Sequence, residues 1–268
     1  MWPMIGGLRI YTFVYVLSMS AFFPAALFYC RRLGIPRKVG VALSVCYVFG
    51  MAVGARILCD LLNQRLDWHN YLNLQYYFTD GLWGGPLAYL AVAVTGVVLF
   101  GRDRAKILDL VVLILPIPMI LAKVACLVNG CCYGAPSDVP WALSFPEGAK
   151  APPGIFRHPT QVYEIVVLMV IAIVFHRLDR ARWRGTLVLW FVLLYGVGRP
   201  LTEWFREAPE RVPTVGPLTA SQVVCMIAAL VAVLALLAVS NRREAALRRG
   251  AELAAASAAS AVIRSGIP

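Results

Sequence analysis

Long apolar stretches, separated by short polar and charged segments, recur along nearly the whole chain. A helix of about 20 mainly apolar residues, rising about 1.5 Å per residue, crosses the roughly 30 Å hydrocarbon core of a bilayer. By this criterion the sequence predicts seven membrane-spanning helices, at residues 10–30, 38–62, 83–101, 106–128, 160–177, 185–206 and 220–240. The expected fold class is therefore an all-α polytopic membrane protein with seven transmembrane helices.

The basic residues of the loops predict the orientation of these helices. Clusters of Arg and Lys follow the first, third, fifth and seventh helices, at residues 31–38, 102–106, 177–184 and 242–249. Because short cytoplasmic loops are enriched in Lys and Arg, we expect the N-terminus outside and the C-terminus inside. Most of the net charge of +11 then comes from basic residues that face anionic lipid on the cytoplasmic side and set the orientation. We therefore expect no nucleic acid as a partner.

Two long connections fall on the outer face in this topology. Residues 63–82 mix aromatic and polar side chains, which is typical of a segment in the headgroup layer. Residues 129–159 are rich in Pro and Gly and are expected to form a folded outer loop. We predict one seven-helix transmembrane domain, residues 1–240, followed by a basic, Ala-rich cytoplasmic tail, residues 241–268.

Composition supports a membrane protein, since 60% of the residues are hydrophobic and only 15% are charged. These values exclude a disordered chain and an ordinary soluble enzyme. The seven cysteines are an odd number at irregular spacing, which is not the pattern of a disulfide framework.

Charged side chains inside spanning segments are costly and often mark function. Four cations lie there: Arg56 in the second helix, Lys123 in the fourth, and Arg199 and Arg206 in the sixth. We expect Glu203 to be the one carboxylate among them. The excess of positive charge predicts an anionic ligand, such as a phospholipid phosphate.

Helical spacing places Tyr195, Arg199, Glu203 and Arg206 on one face of the sixth helix. The alternative is that Glu203 only pairs with Arg199 while the remaining cations extend to the interface. We favour that alternative for Arg206, at the helix end. Arg199 lies deeper and precedes Pro200, which kinks the helix and frees a carbonyl, so there we favour function.

A second polar run, RHPTQVYE, extends from Arg157 to Glu164. Pro159 suits the first turn of the fifth helix, and Gln161 and Glu164 then share a face that points into the bundle. His158 carries an imidazole, which can handle a proton near neutral pH. The alternative is a capping and hydrogen-bonding cluster.

The run NGCCYG contains two adjacent cysteines, Cys131 and Cys132. No second Cys or His pair lies at zinc spacing, so we predict no metal site. A disulfide that involves Cys126, Cys131 or Cys132 stays open. The glycines, Gly130 and Gly134, are expected to let a tight turn approach a lipid headgroup.

Six motifs, in order along residues 5 to 235, resemble those of the bacterial prolipoprotein diacylglyceryl transferases. They are IGGLRIY (5–11), GAR (54–56), AKVACLVNGCCYG (122–134), RHPTQVYE (157–164), YGVGRPLTEWFR (195–206) and GPLTASQ (216–222). The resemblance implies transfer of the diacylglyceryl group of phosphatidylglycerol to the lipobox cysteine of a prolipoprotein signal peptide. It also implies a multi-pass protein of the bacterial plasma (inner) membrane, an active site towards the outer leaflet, and no cofactor.

Mapped onto this sequence, the resemblance implies two sets of site residues and no metal. The expected catalytic residues are Tyr11, Lys123, His158, Arg199 and Glu203. The expected substrate-binding residues are Arg56, Asn129, Gly130, Gly134, Arg157, Gln161, Glu164, Tyr195 and Arg206.

Three positions depart from the family pattern. Lys123 replaces an arginine, Cys126 replaces an asparagine, and Trp83 stands where typical members carry a histidine. Lysine keeps the charge but loses the planar, two-point contact that arginine makes with phosphate. A divergent paralogue for another lipid or acceptor, and an inactive phospholipid-binding protein, therefore stay open. A retinal protein needs a lysine in its seventh helix, and residues 220–240 contain none, so that function is excluded. A transporter would usually show an internal repeat in its hydropathy, and none is evident in this sequence.

Overall fold

The computed structural model describes residues 4–5, 8–50, 104–177, 185–207 and 214–265. Within these ranges the chain is mostly helical, with α1 (Ile10–Leu33), α2 (Arg37–Phe49), α3 (Arg104–Ile114), α4 (Pro116–Asn129), α5 (Thr160–Arg177), α6 (Leu187–Trp204) and α7 (Ala220–Ser265). Two short antiparallel hairpins pair β1 (Met4–Ile5) with β2 (Leu8–Arg9), and β3 (Thr214–Val215) with β4 (Leu218–Thr219).

Four helical stretches in the described part of the chain are long and apolar enough to cross a membrane: Ile10–Leu33, Ala105–Asn129, Thr160–Arg177 and Ser221–Ala254. They make the chain an all-α, multi-pass membrane protein. Helix α6 lies at the sixth predicted span, but its polar end lowers its mean hydropathy. The predicted span 83–101 and the outer segment 63–82 lie outside the described residues, and the span 38–62 is described only to residue 50.

The fourth predicted span is confirmed as one apolar helical stretch, Ala105–Asn129, with a local interruption at Leu115 that divides it into α3 and α4. Pro116 has no N–H to donate to the preceding turn, so one hydrogen bond of the helix is missing there. Leu115 keeps right-handed helical dihedral angles and donates its N–H to the Val111 carbonyl oxygen at 3.0 Å. The chain therefore continues in the same helical path through the proline.

The last predicted span continues far beyond residue 240. Helix α7 runs without interruption for 46 residues, from Ala220 to Ser265. Ala, Arg, Glu and Leu dominate its second half, and all four have high helix propensity, so nothing in the sequence ends the helix at the expected boundary. The residues expected to form a separate tail are a continuation of the same helix.

The helices pack so that polar side chains gather at one end of the bundle. Helix α1 packs against α4, α4 against α5, α5 against α6, and α6 against α7. A buried apolar core, which includes Phe22, Tyr47, Leu110 and Ile114, joins α1, α2 and α3. The C-terminal ends of α4 and α6 and the N-terminal ends of α5 and α7 meet at the other end, where the candidate site lies.

Candidate functional site

The connection between α4 and α5 is a folded loop, as the sequence predicts. Gly130 ends α4 in the left-handed conformation, with φ of 65°. Gly134 then donates its N–H to the His158 carbonyl oxygen at 3.0 Å. A Cβ atom on Gly134 would lie 2.5 Å from that oxygen and 2.7 Å from the Phe205 carbonyl oxygen. The absence of a side chain at Gly134 therefore allows the loop to pack directly against the start of α5 and the end of α6.

Six polar side chains from α4, α5 and α6 form a continuous network, which we call the ion cluster. Its members are Lys123, Glu164, Tyr195, Arg199, Glu203 and Arg206.

Glu164 lies at the centre of the ion cluster. Its Oε2 atom is 2.6 Å from Lys123 Nζ and 3.4 Å from Arg199 Nη1, and its Oε1 atom accepts a hydrogen bond from the Tyr195 hydroxyl at 3.1 Å. The Glu164 side chain is only 4% exposed. A carboxylate this buried requires opposite charges close to it, and Lys123 and Arg199 supply them from two neighbouring helices.

Glu203 connects the remaining cations. Its Oε2 atom lies 2.5 Å from Arg199 Nη2 and 3.3 Å from Arg206 Nη1. These contacts confirm the shared helix face that the spacing predicts. The expectation that Glu203 is the one carboxylate among the membrane cations is wrong, because Glu164 of α5 contacts Lys123 and Arg199 as well.

The charges of the ion cluster do not cancel. Lys123, Arg199 and Arg206 carry three positive charges, and Glu164 and Glu203 carry two negative charges. Among the described residues, one unit of positive charge is left in this largely buried network, which favours the binding of an anion. Arg56, expected to add another cation, lies outside the described residues, as does Trp83.

The first turn of α5 holds the end of α4 in place. Gln161 is fully buried and donates from Nε2 to the Cys131 carbonyl oxygen at 2.8 Å. The Thr160 hydroxyl donates to the Cys132 carbonyl oxygen at 2.6 Å. Gln161 and Glu164 therefore point into the bundle, as the sequence predicts, and Gln161 supports the cysteine segment.

Three thiols converge beside the ion cluster. The Sγ atoms of Cys126, Cys131 and Cys132 all lie within 4.8 Å of one another, and the described cysteines are free, so the described part of the chain contains no disulfide. Hydrogen bonds with the other two thiols, together with the charges of Lys123 and Arg206, lower the pKa of the Cys132 thiol against the effect of burial.

Two further predicted residues lie next to these thiols. Asn129, the last residue of α4, lies beside the Cys131 thiol. Tyr11, in the first turn of α1, stacks on Tyr15 with ring centroids 5.8 Å apart and lies within electrostatic range of Cys126 and its neighbours.

His158 belongs to a different group of side chains. Its Nδ1 atom is 2.9 Å from the Tyr163 hydroxyl, which also accepts a hydrogen bond from Trp141 Nε1 at 2.7 Å. Its ring packs against Phe205, at 5.1 Å between centroids. Sequence reasoning missed Tyr163 and Trp141, because the partner of His158 depends on how the loop folds back over α5.

Arg157 ties the loop to the end of α6. Its guanidinium forms a salt bridge with Glu207, donates from Nη1 to the Gly134 carbonyl oxygen at 3.3 Å, and lies 4.8 Å from the centroid of the Tyr133 ring. Arg157 is only 3% exposed. In this structure its guanidinium contacts the protein itself and stabilises the loop.

Gln222, from the last motif, connects the start of α7 to Pro200 in α6. Its Oε1 atom accepts the Thr219 N–H at 2.9 Å, and its Nε2 atom donates to the Pro200 carbonyl oxygen at 3.3 Å. The start of α7 is thereby fixed to the turn of α6 that carries Arg199 and Glu203.

Sequence comparisons give this arrangement a family context. The family model for prolipoprotein diacylglyceryl transferase matches residues 4–238. Proteins named phosphatidylglycerol–prolipoprotein diacylglyceryl transferase are similar to the chain. That of Rhodospirillum rubrum is 30% identical over 173 residues, which cover 58% of this chain and 62% of that protein. That of Geobacter sulfurreducens is 31% identical over 235 residues, covering 80% and 84% respectively. That of Zymomonas mobilis is 28% identical over 247 residues, covering 88% and 85%.

Proposed function

The chain belongs to the prolipoprotein diacylglyceryl transferase family, and on this premise we propose that it transfers the diacylglyceryl group of phosphatidylglycerol to the lipobox cysteine of a prolipoprotein. The observation that carries the proposal is the ion cluster, which combines a buried excess of positive charge with the family's motifs. A phospholipid phosphate is the anion that a membrane supplies at this position.

The proposed reaction is a displacement at the glyceryl carbon that bears the phosphate. The thiolate sulfur of the acceptor peptide attacks this carbon, and a C–S thioether bond forms. The C–O bond to the phosphate breaks, and its electron pair leaves with glycerol phosphate. The thiol proton passes to a base, and cations around the phosphate stabilise the negative charge on the leaving group.

Arg199 is proposed to hold the phosphate. It bridges the two carboxylates, with contacts of 3.4 Å to Glu164 and 2.5 Å to Glu203, so both carboxylates fix its position. Arg206 contacts Glu203 alone among the acidic groups of the ion cluster. Lys123 and Arg56 are proposed to complete the phosphate site.

The other predicted residues take supporting roles in this proposal. Tyr11 donates a hydrogen bond to the lipid headgroup, and Asn129 orients it. His158 is proposed as the proton acceptor rather than Glu203, because Glu203 Oε2 already accepts from two guanidinium groups. Gly130 and Gly134 allow the loop to pack closely against the start of α5 and the end of α6, next to the ion cluster.

The proposal includes a location for the chain. Seven crossings, with the N-terminus outside and the C-terminus inside, place the loop 129–159 and the ion cluster at the outer leaflet of the bacterial inner membrane. Loop charge supports this topology. Residues 1–240 then form the transferase domain, and residues 241–268 extend into the cytoplasm.

Purified full-length protein, phosphatidylglycerol vesicles and a lipobox peptide test the proposal, with mass spectrometry of the thioether product as the readout. Arg199→Ala should lower turnover about a hundred- to a thousandfold, and the matched variant Arg206→Ala should lower it much less. An inactive parent that still binds phosphatidylglycerol would favour the inactive paralogue. Equal losses in the two variants would remove Arg199 from its assigned role.

A further inference from the structure

The thiols of Cys126, Cys131 and Cys132 form a compact cluster that the proposed transfer of the lipid does not use. Their sulfur atoms come from the last turn of α4 and from the two residues after its glycine cap, and they lie within 4.8 Å of one another. Thiolates are ligands that select soft metal ions, zinc among them.

The sulfur spacing suits a zinc ion. With Zn–S bonds of about 2.3 Å, tetrahedral or trigonal geometry requires sulfur atoms roughly 3.8–4.0 Å apart. The described cluster therefore needs to contract by less than about 1 Å. Sequence spacing alone does not show this, because a search for paired motifs overlooks Cys126, which lies one helical turn before the CC pair.

The backbone that carries the thiols is held in a fixed conformation. Cys132 is the one non-glycine residue with positive φ in the described ranges, at 61°. Such a conformation persists only where surrounding contacts enforce it. Thr160 and Gln161 enforce it here through hydrogen bonds to the carbonyl oxygens of Cys132 and Cys131. The ligands are thus oriented before a metal ion arrives.

The charge of the surroundings also fits. Three thiolates and one Zn²⁺ ion carry a net charge of −1, whereas three thiolates alone carry −3. Lys123 and Arg206 both lie within electrostatic range of Cys132, so cations adjoin a centre whose own net charge is negative.

From these observations we infer that Cys126, Cys131 and Cys132 bind one Zn²⁺ ion, with the fourth coordination position open to a substrate thiol. On binding, each cysteine releases its proton to water as its sulfur becomes a ligand. Within the described ranges these three cysteines are the residues that come together, and three protein ligands with one open position are the arrangement of catalytic rather than structural zinc sites.

The open position deepens the proposed function and rests on it. The acceptor cysteine would lose its thiol proton to the base and bind zinc through its sulfur as a thiolate. That sulfur then attacks the glyceryl carbon, and the electron pair of the broken C–O bond leaves with glycerol phosphate. Zinc would thereby favour the thiolate form of the acceptor cysteine beside Lys123. Such help fits a chain in which Trp83 stands where typical family members carry a histidine.

Metal binding is tested on the full-length protein in detergent, stripped with a chelator, reduced with a phosphine and titrated with Zn²⁺. We expect one bound ion per chain, and an affinity at least about tenfold lower after substitution of any one of the three cysteines by Ser. The matched control is Cys46→Ser, in α2, which should bind zinc like the parent.

A second measurement needs no variant. Zn²⁺ should protect Cys126, Cys131 and Cys132, but not Cys46, from alkylation by iodoacetamide, as mapped by mass spectrometry. Absence of stoichiometric zinc, absence of protection, or retained affinity in all three variants would overturn the site.

The open position is tested with Co²⁺ in place of Zn²⁺. The visible spectrum of the Co²⁺ protein should change on addition of a lipobox peptide, but not of the same peptide with its cysteine replaced by serine. Identical spectra would overturn the open position. Because these readouts do not depend on turnover, a protein that binds zinc without transferring lipid contradicts only the proposed function. Full turnover in the zinc-free protein contradicts only the role of zinc.

Discussion

Removal of the negative charge at the centre of the ion cluster should destabilise the protein strongly. Glu164→Gln keeps the shape of the side chain but leaves Lys123 Nζ and Arg199 Nη1, now 2.6 and 3.4 Å from the carboxylate, beside a neutral amide. Loss of one partner from a buried ion pair costs about 3–5 kcal/mol, because the other charge stays buried without compensation. For a chain of this size the melting temperature should fall by roughly 6–20 °C.

A double substitution separates charge from other effects. Lys123→Met combined with Glu164→Gln removes both members of the Lys123–Glu164 pair, while Arg199 keeps its contact with Glu203. We therefore expect the double variant to be more stable than Glu164→Gln alone, with a coupling free energy on the order of 1–3 kcal/mol.

Thermal unfolding of the parent, both single variants and the double variant, in the same detergent, gives this coupling. A Glu164→Gln variant that melts with the parent would refute the reasoning. So would strictly additive effects of the two substitutions, since they would mean that the charges of Lys123 and Glu164 do not compensate each other.

In the proposed site, Lys123→Ala removes a charge-assisted contact to phosphate, so turnover should fall about ten- to a hundredfold. An active parent whose turnover is unaffected by this change would exclude Lys123 from the site. Gly134→Ala forces the loop away from the carbonyl oxygens that it touches and should cost about 1–3 kcal/mol, whereas Gly250→Ala, in open space on α7, should stabilise the helix by about 0.5–1 kcal/mol. Thermal unfolding of both glycine variants should show a lower melting temperature for Gly134→Ala and a higher one for Gly250→Ala. A reporter enzyme active only outside the cell should work when fused after Phe145 and be inactive when fused after Arg104, and the reverse pattern would overturn the topology.

Local spacing predicted those parts of the site that lie within one helix. The contacts of Glu203 with Arg199 and Arg206 follow directly from separations of four and three residues on α6. The direction of Gln161 and Glu164 follows in the same way from the start of α5. Hydropathy likewise located α1 and α5, whose apolar runs end at clear charge clusters.

Contacts between helices were not predictable, because they depend on the rotation and depth of each helix against its neighbour. Nothing in the separation of Lys123 and Glu164 along the chain indicates that α4 and α5 bring them to 2.6 Å. The same holds for Cys126, which meets the CC pair only because Gly130 reverses the chain after α4. At the end of the chain, hydropathy and helix propensity gave different boundaries. The apolar run ends near residue 240, but residues of high helix propensity continue the helix to Ser265.

Helix α7 is long enough to connect the candidate site with the cytoplasmic leaflet of the proposed topology. At about 1.5 Å per residue, its 46 residues extend roughly 69 Å. In the proposed topology, the arginines at 242–249 begin roughly 33 Å from the start of the helix, at the level of the opposite headgroups. Anionic lipid attracts these side chains and resists their movement into the hydrocarbon, so they set the vertical position of α7. At the other end of α7, Gln222 donates a hydrogen bond to the Pro200 carbonyl oxygen of α6. In the proposed site and topology, the depth at which Arg199 would hold a phosphate therefore depends on where the lipid headgroups of the cytoplasmic leaflet position α7.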